Sequence, residues 1–125
     1  MKPKVTVVDY GMGNLFSIRR AFEHCGAEIE LTRSAYEIIG ADRLVLPGVG
    51  AFADGMEGLK KLGLIEPIKE FASLGRPVLG ICLGMQMLMS ASEEFGRHQG
   101  LDIFPGVVSP VPPTCPDGRT HKIPH

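Results

Sequence analysis

Short apolar runs that stop at glycine-containing loops, each followed at once by helical periodicity, constrain this chain more than any other feature. Val5, Thr6, Val7 and Val8 form a compact β-branched run ending at Asp9-Tyr10-Gly11, as a buried parallel strand would. Leu15, Ile18, Phe22 and Cys25 then recur at spacings of three and four, with Asn14 placed to cap the helix and Gly26 to stop it. The unit repeats. Glu28 to Leu31 reads as a second strand, and Ser34-x-x-Glu37 offers a capping box for a short helix through Ile39. Leu44-Val45-Leu46 makes a third strand, broken by Pro47-Gly48-Val49-Gly50. Met56, Leu59 and Leu62 suggest one helical piece, and Pro67, Ile68, Phe71 and Leu74, stopped by Gly75, suggest another. Pro77 to Ile81 is a fourth strand running directly into Cys82, after which Met85, Leu88 and Met89 carry a helical stripe. This alternation predicts an α/β fold: a mainly parallel sheet with helices on both faces, and ligands at the carboxyl ends of the strands.

The last third changes character. Phe104 to Val111 and Arg119 to Ile123 read as antiparallel strands joined around the turn residues Pro116-Asp117-Gly118. The chain then closes on His121-Lys122-Ile123-Pro124-His125 without a capped or polar finish. Residues 1–125 are therefore expected to be the N-terminal portion of a single domain, incomplete and truncated after a β-hairpin.

With 44% hydrophobic residues in 125, the chain has enough apolar material for a core, which excludes a disordered chain. No long apolar segment marks an exported or membrane-spanning protein. Thirteen basic side chains, scattered along the chain, oppose fourteen acidic ones, so neither a nucleic acid nor a membrane surface is an expected partner. Cys25, Cys82 and Cys115 are odd in number and lack CxxC spacing, which argues against both a disulfide framework and a zinc site. A reducing cytoplasm is the expected compartment, and no metal or organic cofactor is expected.

One thiol has a context of its own. Gly80-Ile81-Cys82-Leu83-Gly84 has the G-x-nucleophile-x-G spacing of an elbow between strand and helix. A residue at so sharp a turn takes a sparsely populated backbone conformation, and flanking glycines remove the Cβ atoms that would clash with neighbouring elements. The side chain then projects above the sheet at a helix N-terminus, where the thiolate needed for attack is favoured. The Leu83 N–H is placed to receive an oxyanion. A second donor can come from Pro47-Gly48-Val49-Gly50, with the Val49 or Gly50 amide as the candidate, and such a donor is worth roughly 3–4 kcal/mol in a transition state. Cys25, on a helical stripe, and Cys115, in a proline-flanked loop, read as structural.

PGVG followed by GICLGMQ resembles class I, triad-type glutamine amidotransferases. VVDYGMGNLFSI, LPGVGAF, GICLGMQMLMSASEE and the terminal KIPH are similar, in order and spacing, to the glutaminase subunits of imidazole glycerol phosphate synthase. The resemblance implies the flavodoxin-like fold of that family and a glutaminase activity serving histidine biosynthesis. Glutamine is its implied substrate, and a (β/α)8-barrel cyclase subunit is the implied heterodimer partner and ammonia acceptor. By position it makes Cys82 the nucleophile that forms a glutamyl thioester. It makes Gly48, Gly50, Gln86 and Glu94 glutamine-binding groups, and Val49, Gly50 and Leu83 the oxyanion donors. The chemistry agrees, since Gln86 stands one helical turn past Cys82 and a carboxylate such as Glu94 suits the substrate's ammonium.

The family's general base is a histidine oriented by a glutamate two residues later, and no H-x-E occurs in these 125 residues. His24 on the first helix, His98 in a loop, and His121 and His125 around the terminal KIP are assigned surface or structural roles. The chain alone is expected to be a poor glutaminase. Three other functions compete. They are an amidotransferase for another acceptor such as a surface-polysaccharide sugar, a regulatory module that keeps the fold without turnover, and a generic cysteine hydrolase, which would leave Gln86 and PGVG unexplained.

Overall fold

The computed structural model describes residues 1–123. Twelve elements follow in order: β1 (Lys4–Val8), α1 (Leu15–His24), β2 (Glu28–Thr32), α2 (Ala35–Ile39), β3 (Leu44–Leu46), α3 (Phe52–Lys61), α4 (Ile65–Ser73), β4 (Val78–Gly80), α5 (Leu83–Met87), β5 (Met89–Ser92), β6 (His98–Gln99) and β7 (Phe104–Val108). Four strands form a wholly parallel sheet in the order β2-β1-β3-β4.

The period of two in β1 divides the core. Val5 and Val7 face α1 and pack with Ala27, Ile29 and Val45 against Leu15, Ile18 and Phe22. Val8, Leu44 and Leu46 belong to the larger core on the other face, where α2, α3, α4 and α5 supply Ile38, Phe52, Leu59, Ile68, Phe71 and Met87. Helices thus cover both faces, as expected. Asn14 caps α1, its side-chain oxygen accepting from the Ser17 N–H at 3.2 Å. Ser34 caps α2 by accepting from the Glu37 N–H, whereas the Ser34 N–H goes to the Thr32 hydroxyl and not to Glu37, so only half of the expected capping box forms.

Several boundaries differ from the expectation. Among the described residues β4 stands at the end of the sheet order, and Leu79 in it is half exposed. Leu62 and Leu74, read as helix stripe residues, follow the ends of α3 and α4 and are exposed, while Phe52 and Gly55 take the buried face of α3. The Cys25 thiol ends α1 in solvent.

The largest difference lies after Cys82. The helix ends at Met87, and Met89 begins a second sheet of order β6-β5-β7. A distant segment claims the carbonyls there: Leu101 N–H donates to Met87, Ile103 and Phe104 to Leu88, Asp102 to Met89 and Gly100 to Ser90. Tertiary hydrogen bonding overrides a stripe that suits a helix equally well. The same pairing corrects the hairpin. β7 runs parallel to β5 and does not pair with residues 119–123; the terminal turn keeps the Thr114–Thr120 bridge, with the Cys115 N–H donating to Arg119, Gly118 to Cys115 and His121 to Pro113. His98, expected in a loop, lies in β6 with Nε2 3.1 Å from the Phe95 carbonyl oxygen.

A Cβ on Gly84 would overlap the Leu46 carbonyl oxygen, and this is backbone that cannot step aside. Gly84→Ala is expected to lose about 3 kcal/mol or more. Gly63, with φ +68° and open space around its Cβ position, should lose only about 1 kcal/mol as Gly63→Ala. Urea unfolding of the two variants measures the contrast.

Candidate active site

The elbow has a steric origin that can be read atom by atom. Cys82 sits at φ +54° and ψ −117°, a conformation costly for a residue with a Cβ. On its strand side, a Cβ on Gly80 would lie 2.6 Å from the Met85 Cα; on its helix side, Gly84 touches the end of β3. Both glycines are therefore required by close backbone approach, and the thiol they flank is exposed. α5 is only five residues long, so what it offers Cys82 is the N–H groups of a first turn.

The PGVG segment leaves β3 beside this elbow. Gly48 is buried, and a Cβ there would collide with the Tyr10 hydroxyl and lie 3.1 Å from the Leu83 Cβ. Gly50 has φ +115°, available to glycine without strain, and Val49 is 59% exposed. Among the described residues neither the Val49 nor the Gly50 N–H has an acceptor. Leu83 differs from the expectation: its N–H donates to the Gly48 carbonyl at 3.1 Å instead of standing free. A first-turn N–H needs an acceptor, and the Gly48 carbonyl is the group within reach.

Tyr10 was not singled out by sequence. Its hydroxyl donates to the Pro47 carbonyl at 2.6 Å, joining the loop after β1 to the loop after β3. Burial pushes its phenol well above the ordinary tyrosine range, so it remains a donor throughout the physiological range. Gly13 and Met12 of the same loop lie against Pro47-Gly48 and Gly50.

Gln86 and Glu94 come together at a cleft of about 440 Å³, walled by Ser92, Val108 to Val111 and Ile123. Gln86 is half-buried and one turn from Cys82, its N–H donating to the Cys82 carbonyl at 3.1 Å. Glu94 is not part of a helix end. It follows β5, and its Oε1 accepts from the Phe52 N–H at 2.9 Å. His24 closes α1, and His121 places Nδ1 3.2 Å from the Cys115 sulfur, a pairing that sequence reading missed because six residues and a turn separate the two. His125 lies outside the described residues. Among the described residues no three His, Cys, Asp or Glu side chains group as a metal site requires, and no helix is long and apolar enough to cross a membrane.

The sequence profile of the family described as "Glutamine amidotransferase class-I" matches residues 6–122. The chain belongs to this family. This chain is 60% identical over 121 residues to the "Imidazole glycerol phosphate synthase subunit HisH 1" of Legionella pneumophila (strain Paris), an alignment covering 97% of this chain and 57% of that protein. It is 48% identical to the "Imidazole glycerol phosphate synthase subunit HisH" of Syntrophotalea carbinolica, over 97% of this chain and 59% of that one. The chain thus spans little more than half the length of these relatives. Among solved structures, one described as "Crystal structure of glutamine amidotransferase" superposes with a TM-score of 0.70 at 18% identity, covering 83% of this chain and 55% of that one. A putative peptidase E protein from Listeria monocytogenes EGD-e superposes at 0.63, also at 18% identity, over 82% of this chain and 63% of that one. Both likenesses concern the fold.

Tyr10→Phe removes one hydroxyl and leaves the Pro47 carbonyl without its donor. Denaturant unfolding is expected to show a loss of about 1–2 kcal/mol.

Proposed function

We propose that this chain is the nucleophile-bearing part of a glutaminase that hydrolyses glutamine through a thioester at Cys82. We propose further that the ammonia serves the cyclase subunit of imidazole glycerol phosphate synthase, a (β/α)8 barrel, in histidine biosynthesis. The observation that carries the reading is an exposed thiol held at positive φ between two sterically required glycines, beside the PGVG segment. The names of relatives 46–60% identical support the pathway. Three free cysteines favour the reducing cytoplasm as the compartment.

The proposed chemistry runs as follows. Glutamine lies in the cleft with its ammonium toward Glu94 and its side-chain amide toward Cys82, steadied by Gln86. The sulfur attacks the amide carbon, and the developing oxyanion is received by the Leu83 N–H and by the Val49 or Gly50 N–H. Because the Gly48 carbonyl occupies Leu83 in the structure, it must turn away before that donor can serve. The amide nitrogen takes a proton and leaves as ammonia, and water hydrolyses the thioester to glutamate. The proton transfers require a general base, which the family resemblance assigns to a histidine followed two residues later by a glutamate, a pattern absent from these 125 residues. The chain alone is therefore a slow glutaminase.

The Leu83–Gly48 bond favours a second reading, a module that holds glutamine without turning it over. One experiment separates the two. A chloromethyl ketone with the chain length of glutamine should alkylate Cys82, detected by peptide mass spectrometry. Cys82→Ser should lower labelling at least about 10³-fold, whereas Cys25→Ser and Cys115→Ser leave it unchanged. A folded chain whose Cys82 stays unmodified favours the non-catalytic module. Gln86→Ala should weaken saturation by the reagent about tenfold without changing its limiting rate.

A further inference from the structure

The segment from Pro47 to Phe52 is fastened at both ends and slack in the middle. Tyr10 holds the Pro47 carbonyl at 2.6 Å, and the Leu83 N–H holds the Gly48 carbonyl at 3.1 Å. The far end is held by Glu94, 42 positions away, whose Oε1 accepts from the Phe52 N–H at 2.9 Å.

That last bond fills a gap in the helix it joins. α3 begins at Phe52 after Ala51, which supplies no side-chain cap, so an N–H of its first turn would otherwise lack a partner. A carboxylate there also suits the positive end of a ten-residue helix. The Phe52 ring is fully buried, so the backbone cannot follow the carboxylate if it moves. Glu94 is itself held, its N–H donating at 3.1 Å to the hydroxyl of Ser92, a fully buried residue at the end of β5.

Glu94 also lines the cleft with Gln86, and among the described residues its Oε2 has no partner. We propose that Glu94 is a positioning residue for the oxyanion segment as well as a substrate ligand. One carboxylate oxygen clasps the start of α3 and so sets where the Val49 and Gly50 N–H groups lie; the other receives the ammonium of the bound amino acid. Occupancy of the cleft and placement of the donors then depend on one side chain. The inference rests on the glutamine reading above and extends it, since charge and acceptor can be removed separately.

The test compares Glu94→Gln, which keeps an acceptor oxygen for Phe52 but loses the charge, with Glu94→Met, which has similar length and neither. Saturation kinetics of Cys82 labelling by the glutamine-like chloromethyl ketone give a half-saturating concentration and a limiting rate. In that reaction the sulfur–carbon bond forms, chloride leaves and the thiol proton passes to solvent. Both variants should raise the half-saturating concentration about tenfold through loss of the ammonium contact. The limiting rate should fall about tenfold in Glu94→Met and be restored in Glu94→Gln. Amide exchange at residues 49–53 should rise in Glu94→Met alone, and alkylation of Cys82 by iodoacetamide should be the same in all three proteins. Equal limiting rates and equal exchange in the two variants would overturn the clasp. Wild-type chain that reacts with iodoacetamide but not with the chloromethyl ketone would overturn the glutamine reading itself, and the substrate half of this inference with it.

Discussion

Backbone packed directly on backbone at the head of α5 is the constraint on which this molecule depends. Gly84 rests on the Leu46 carbonyl and Gly80 on Met85, so strand β4, the elbow and the first turn of α5 approach more closely than any Cβ allows. Leu83 and Met87 drive that approach from the inside, because both are buried in the large core with Leu46 and Phe52. The strain at Cys82, of order 1–3 kcal/mol for its backbone conformation, persists because the surrounding packing leaves the chain no other path. The thiol is exposed as a consequence: a residue at φ +54° between two such contacts has nowhere to point except away from the sheet.

The PGVG segment depends on the same core but answers to more masters. It takes a hydrogen bond from the loop after β1 and another from the first turn of α5, and just beyond it the Phe52 N–H donates to Glu94, which follows β5. The second sheet therefore has work beyond closing the fold. By turning the chain back after Ser92, it returns Glu94 to the start of α3 and walls the cleft with Val108 to Val111. Loops fastened to a rigid parallel sheet can hold a site to fractions of an ångström, while the Val49 and Gly50 N–H groups between the fastenings keep no acceptor among the described residues.

Much of the frame was legible along the chain, for local reasons. Asn14 and Ser34 cap the helices they precede, and the first three strands fall where β-branched and leucine runs put them. The G-x-C-x-G spacing was legible too, because it encodes a steric demand acting within five residues. Met85 lies in α5 as its spacing implies, but Leu88 and Met89 fall beyond the helix, because a stripe of three apolar residues suits a helix or a strand. The competition was settled by N–H groups of residues 100–104, which no local pattern announces.

What sequence determined by itself, then, is whatever a few neighbouring residues can enforce: an alternating α/β chain, capped helices, and one cysteine that must sit on a strained turn. Tertiary structure decided which polar groups meet. The Tyr10 hydroxyl on Pro47, the Gly48 carbonyl on Leu83 and the Glu94 carboxylate on Phe52 join positions between 35 and 42 residues apart. Hydrogen bonds act only within about 3 Å, so their partners exist as partners only once burial of Val8, Leu46, Phe52 and Met87 has brought the loops together.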